Sequence, residues 1–169
     1  MCKKTSFFSL IFAALTCGAA LSQEAPAAGE FVSKALQSPS ISYLTETKPA
    51  ADASFYIYLS SASWCPPCRA LMPKVVAQYP EIKAAGGEVI LLCFDRTQEA
   101  GKNYLKKYGA SFPSIMMDFR NPAALIQRLP GFTPPRGIPH TIVVGADGKV
   151  LHAGHGTSIL NWREITSRQ

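Results

Sequence analysis

Three stretches of the chain are apolar, aromatic or β-branched almost throughout, and the segments between them are polar with helical spacing. Ser54 to Ser60 (SFYIYLS) alternates only weakly and reads as a strand buried on both faces. Gly86-Gly87 breaks the chain, and Glu88 to Phe94 (EVILLCF) is a second buried strand. Ile138 to Gly145 (IPHTIVVG) is a third, followed by an Asp147-Gly148 hairpin turn and a fourth strand from Lys149 to Ala153. Ile115 to Met117 is a short extended piece. Helices are predicted from Glu30 to Gln37, with Phe31, Ala35 and Leu36 on one face, and from Pro66 to Tyr79, with Leu71, Val75 and Val76 facing inward. Pro66 suits a first helical turn, where a missing N–H costs little, whereas Pro73 should kink the helix. Further helices are predicted over Gln98–Tyr108, from the Asn121-Pro122 cap to Arg128, and from Ser158 to Ser167. The order β-α-β-α-β-β-α predicts an α/β domain: a central sheet of parallel and antiparallel strands with helices on both faces.

The front of the chain has a different character. Lys3 and Lys4 precede an apolar run from Phe7 to Leu15, and Ala20-Leu21-Ser22 offers the small residues a signal peptidase reads. The run is too short for a permanent bilayer-spanning helix of about 20 residues. Residues 1–22 are therefore expected to be a cleaved signal peptide, and the mature protein periplasmic or secreted. A lipid anchor on Cys17 is the weaker alternative, because Ala14-Leu15-Thr16 fits that processing poorly. Residues 23–52, rich in Ala, Ser, Pro and Glu, read as a loose N-terminal extension, and 53–169 as the domain proper. Loss of the leader removes two lysines and no acid, taking the formal charge from +6 to +4. No Lys/Arg cluster exceeds Lys106-Lys107 and no aromatic ladder accompanies it, which excludes nucleic-acid binding.

Candidate chemistry centres on Trp64-Cys65-Pro66-Pro67-Cys68-Arg69, where a strand gives way to a helix. A thiolate at a helix N-terminus is stabilised by unpaired N–H groups and the helix dipole, and cysteines in such motifs titrate at about 3.5–7.5. In an oxidising compartment the pair could be a structural staple. So small a ring constrains little chain, however, and the motif reads instead as a pair that exchanges electrons. Cys93, at the end of EVILLCF, reads as a buried, inert thiol. His140, His152 and His155 read as surface, hydrogen-bonded or turn residues. The minor alternative places His140 near the cysteines, tuning them or joining them in a metal site. Pro66 and Pro67 each remove an N–H that would stabilise the anion, which points to a comparatively reducing pair, while the charge of Arg69 acts in the opposite direction.

The strand, the WCPPC motif opening a proline-bearing helix, and a late Gly137-Ile138-Pro139 before a strand and hairpin together resemble the thioredoxin fold over roughly Ala53 to Gln169. The string Ser61-Ala62-Ser63-Trp64-Cys65-Pro66-Pro67-Cys68-Arg69 is similar to that of tryparedoxins and nucleoredoxins, and the exported setting to bacterial TlpA/ResA-type thiol-disulfide oxidoreductases. The resemblance implies Cys65 as the attacking thiol, Cys68 as the resolving thiol and a redox-active Cys65–Cys68 disulfide. It further implies Pro139 as a cis-proline against that disulfide, Ile138 as a backbone contact for substrate, and Trp64 as a shield, with Pro66 and Pro67 supporting the active site. Two acids that such relatives carry are missing: the corresponding positions are Leu59 on the strand and Leu71 on the helix. The expected partners are protein disulfide or dithiol substrates and an upstream electron donor, a membrane thiol carrier being the natural candidate. No cofactor or metal is expected, and the protein is expected to be a monomer. A non-enzymatic thioredoxin-like binding module, or a copper metallochaperone, is the alternative.

Overall fold

The computed structural model describes residues 30–117 and 128–168. The expected signal peptide, with Cys2 and Cys17, and residues 121–127 of the helix expected from Asn121 lie outside the described residues.

The central strand, β1 (Phe55–Ser61), is buried at every position. It pairs in parallel with β2 (Gly87–Cys93), equally buried, and antiparallel with β4 (His140–Gly145). β3 (Ser114–Met116) extends the sheet beside β2, and β5 (Val150–His155) closes the other edge as the hairpin partner of β4. The order is β3-β2-β1-β4-β5. Burial on both faces is why β1 and β2 read as apolar runs and not as alternating strands.

Residue parity along β1 divides the core in two. Ile57 and Leu59, with Leu91 and Val143, face α2 (Pro66–Ala84), α3 (Gln98–Tyr108) and α4 (Trp162–Thr166). Tyr56 and Tyr58, with Ile90 and Ile142, face the opposite way, towards α1 (Phe31–Leu36). Each such aliphatic side chain, fully buried, contributes roughly 1.5–3 kcal/mol of transfer free energy.

Three sequence expectations are corrected. In α1 the buried face is formed by Val32 and Leu36, one turn apart, whereas Phe31 is 53% exposed. Residues 30–52, whose packing the composition leaves open, are hydrogen-bonded to the domain. Val32 N–H donates to the Ala146 carbonyl (3.1 Å), Leu44 N–H to that of Ser114 (2.7 Å), and Ala50 N–H to the Glu88 carboxylate (2.9 Å). The C-terminal helix begins as a 3-10 segment, Gly156–Asn161, and becomes α-helical at Trp162, whose ring stacks on Phe55. Helix α2 also runs five residues past Tyr79. Ile82 continues the apolar face of Leu71 and Val75, and Gly86, at φ 76°, then supplies the left-handed turn that stops it.

Candidate active site

The C-terminal end of β1 delivers the chain to the start of α2. There Cys65 is the N-cap and Pro66 and Pro67 occupy the first two helical positions. The prolines leave Cys68 as the first residue of the helix with an N–H, and that N–H points at Cys65 Sγ (3.3 Å). Cys65 and Cys68 form a disulfide with their Cα atoms 5.2 Å apart. Both cysteines are buried, and the side chains packed on them are Ala62, Phe94 and Ile138.

Two walls flank this pair. The first is the loop Ser63-Trp64. The Trp64 ring is 57% exposed, and its Nε1–H donates to the Phe94 carbonyl (3.1 Å). That bond ties the exposed ring, next in sequence to Cys65, to the end of β2. Beneath it Asp95, only 1% exposed, accepts from Ser63 Oγ (2.6 Å), from Ser63 N–H (3.2 Å to each oxygen) and from the Cys93 thiol (3.3 Å). A buried carboxylate is tolerable only when so satisfied, and here it ties the active-site loop to the end of β2. The Arg69 guanidinium donates to the Ser63 carbonyl (2.9 Å), so it braces the same loop. Between Trp64, Asp95, Arg96 and Ala100 lies a cleft of about 640 Å³.

The second wall is the turn before β4. The Ile138–Pro139 peptide is cis, and the Ile138 carbonyl oxygen lies 3.6 Å from Cys65 Sγ, placed to accept a hydrogen bond from the thiol once the pair is reduced. Gly156, arriving from β5, donates its N–H to the Pro139 carbonyl (2.8 Å), and Thr141 Oγ1 donates to the Gly156 carbonyl (2.9 Å). A side chain at Gly156 is excluded: its Cβ would lie 2.3 Å from Pro139 Cβ. A second cleft, about 570 Å³, opens here beside Arg136, Ile138, Pro139 and His155.

Cys65, Cys68, Trp64, Pro66, Pro67, Ile138 and Pro139 thus meet at one end of the sheet. Cys93 stands apart; burial, with the adjacent Asp95 charge, pushes its thiol up to about 12 and leaves it protonated and unreactive at neutral pH. Leu59 and Leu71 are both buried in the apolar core, with no acid in their place. His140 differs from its sequence reading. It is half-buried, its Nδ1 has no partner, and burial, then His152 and His155, holds its pKa below the ordinary value. His152 and His155 are residues of β5, not of a turn, and His155 pairs across the ladder with His140. Among the described residues no three His, Cys, Asp or Glu side chains converge to hold a metal.

Sequence reasoning missed Asp95 and Gly156. A signal existed for the first: Asp95 directly follows an apolar strand, at the carboxyl end of a parallel pair, where open α/β sheets place their ligand sites. Gly156 carries no local mark, since the need for it arises from Pro139, far away in sequence.

The family model described as thioredoxin-like matches residues 54–150, from the start of β1 to the start of β5. The chain belongs to the thioredoxin-like family. Mouse (Mus musculus) nucleoredoxin is 34% identical over 105 residues, which are 60% of this chain and 22% of that protein. The thiol-disulfide oxidoreductase ResA of Bacillus thuringiensis (strain Al Hakam) is 34% identical over 89 residues, 53% of this chain and 47% of ResA. This chain therefore spans about a fifth and about half of these relatives' lengths. Among solved structures, a thiol:disulfide interchange protein of Chlorobium tepidum TLS is similar at a TM-score of 0.55 and 27% identity, with 68% of this chain and 79% of that one covered. The thioredoxin-like match and the five-stranded mixed sheet agree with the α/β thioredoxin fold expected from the sequence.

Proposed function

We propose that this protein is an exported thiol-disulfide oxidoreductase that reduces disulfides in periplasmic proteins. The observation that carries the reading is the Cys65–Cys68 disulfide at the mouth of α2, with Cys68 N–H aimed at Cys65 Sγ and cis-Pro139 beside it. In the reduced protein the Cys65 thiolate attacks one sulfur of a substrate disulfide, forming a mixed disulfide and expelling the first substrate thiolate. Cys68, as thiolate, then attacks Cys65 Sγ and expels the second. Two electrons pass to the substrate and the pair is left oxidised, as in this structure. No cofactor takes part. A dithiol donor, for which a membrane thiol carrier is the natural class, returns the two electrons. Trp64, Pro66, Pro67 and Ile138 shape the surroundings of Cys65, and the protein acts as a monomer. The basic, apolar leader pattern supports export.

Two measurements test the reading. The midpoint potential of the pair, by thiol alkylation across redox buffers, is expected near or below about −250 mV, the thioredoxin end of the known range. A value of about −120 to −180 mV would reverse the direction, making the protein a disulfide donor or isomerase. A Cys68→Ser variant is expected to accumulate mixed disulfides through Cys65. A binding module would show none.

A further inference from the structure

The chemistry at Cys65 is indifferent to substrate sequence, but its surroundings are not. Both clefts beside the disulfide carry an exposed arginine: Arg96 on the Trp64 side and Arg136 on the Pro139 side. Ion pairs among the described residues engage Lys83, Arg163 and Arg168, and neither of these two arginines. Asp95 is adjacent to Arg96 in sequence, yet its oxygens accept from Ser63 and Cys93. Glu99, in the first turn of α3, makes no ion pair with Arg96 either. The remaining lining is largely apolar, with Trp64 on one side and Ile138 and Pro139 on the other. Guanidiniums that make no ion pair among the described residues, one on each side of a reactive sulfur, favour negative charge in whatever crosses it.

We propose that the substrate is a polypeptide segment with carboxylates on both sides of its cysteine, one side read by Arg96 and the other by Arg136. This rests on the oxidoreductase reading above and names the substrate class of the same site. The segment crosses the mouth of α2 with its cysteine at Cys65, and the charges to either side set its register. Paired, partly exposed charges of this kind act mainly on encounter and orientation, so the preference weakens as salt is added.

The test uses the pre-reduced protein in single turnover, followed by the fluorescence of Trp64 beside the reacting pair. Three short peptides are compared, each with a central cysteine in mixed disulfide with a small neutral thiol, flanked by Asp/Glu, by Gln or by Lys. At about 20 mM salt the acidic peptide is expected to react about fivefold faster than the Gln peptide, and the Lys peptide slowest. At about 500 mM the three rates should approach one another. The readout is the ratio between peptides, so any change in Cys65 reactivity common to all three cancels. Arg96→Gln and Arg136→Gln should each lower the ratio, and the double variant should bring it to one. Arg96→Lys and Arg136→Lys should keep most of it. Equal rates at low salt, or a ratio that survives in the double Gln variant, would overturn the acidic-segment proposal while leaving the oxidoreductase reading in place. Absence of reaction with all three peptides would overturn the oxidoreductase reading, and this proposal with it.

Discussion

The two walls of the disulfide are built by opposite means. On the Trp64 side, position is set by hydrogen bonds: a buried carboxylate collects two donors from Ser63 and one from Cys93, and Arg69 holds the carbonyl of the same loop. On the Pro139 side it is set by the absence of space: Gly156 lies against a rigid ring that leaves no room for a methyl group, with a single N–H to the Pro139 carbonyl. Hydrogen bonds can be exchanged for other hydrogen bonds, whereas a backbone-to-ring contact cannot yield. The steric wall should therefore break abruptly and the polar wall by degrees.

The largest effect is expected from Gly156→Ala. The new Cβ would meet Pro139 Cβ at 2.3 Å, Cγ at 2.8 Å and its carbonyl carbon at 3.0 Å, all parts of the backbone or of a closed ring. Overpacking of this kind costs about 1–3 kcal/mol, and the upper end applies here because neither partner has a flexible side chain to move. Displacement of Pro139 also moves the Ile138 carbonyl away from Cys65, so disulfide exchange should slow by about tenfold or more. Denaturant unfolding and a single-turnover exchange assay on one preparation give both values. A variant with wild-type stability and rate would show that the two walls do not differ in kind.

Asp95→Asn should have a smaller effect. The side chain keeps its size but turns one acceptor into a donor, leaving a donor of Ser63 or Cys93 without a partner inside the protein. That costs about 1–3 kcal/mol, and exchange should slow as the Trp64 loop loosens. A double-mutant cycle with Ser63→Ala sharpens the comparison. If Asp95 acts through Ser63, the two losses should be strongly non-additive, whereas additive losses would mean that the carboxylate holds β2 alone.

The same division explains what could be read from the sequence. The polar and apolar strings that make β1, β2 and the mouth of α2 are each contiguous, and Cys65, Pro66, Pro67 and Cys68 carry their geometry in local spacing. The Gln98–Tyr108 helix has the bounds the sequence predicts, with Thr97 capping its start and Gly109 ending it in the left-handed conformation. What escaped was assembled across distance. Helical spacing groups Phe31 with Ala35 and Leu36, yet the face turned to the sheet is that of Val32 and Leu36. The packing of residues 30–52 depends on backbone groups that find partners on β2, β3 and the β4–β5 turn, which no local composition announces. The 3-10 start of the last helix is set by His155, whose Nδ1 accepts from Thr157 N–H.

The smallest effect concerns pH, and it falls on the steric wall. His140 follows Pro139 directly and is held below its ordinary pKa of 6.5, first by burial and then by the nearby His152 and His155. The unfolded chain therefore takes up a proton near pH 6.5 that the native protein still refuses. Stability contributed by neutral His140 is complete above that value and is lost as pH falls below it, until the native imidazole is itself protonated. Acidification from pH 7.5 to 5.5 should therefore loosen the Pro139 side. Unfolding curves at the two pH values are expected to show a larger loss for the wild type than for His140→Gln, which has nothing to titrate at that position. Because His140 is only half-buried, water screens much of the penalty, and the difference should be well below the cost of Asp95→Asn. Equal losses in the two proteins would place the acid sensitivity elsewhere and leave the steric wall independent of pH.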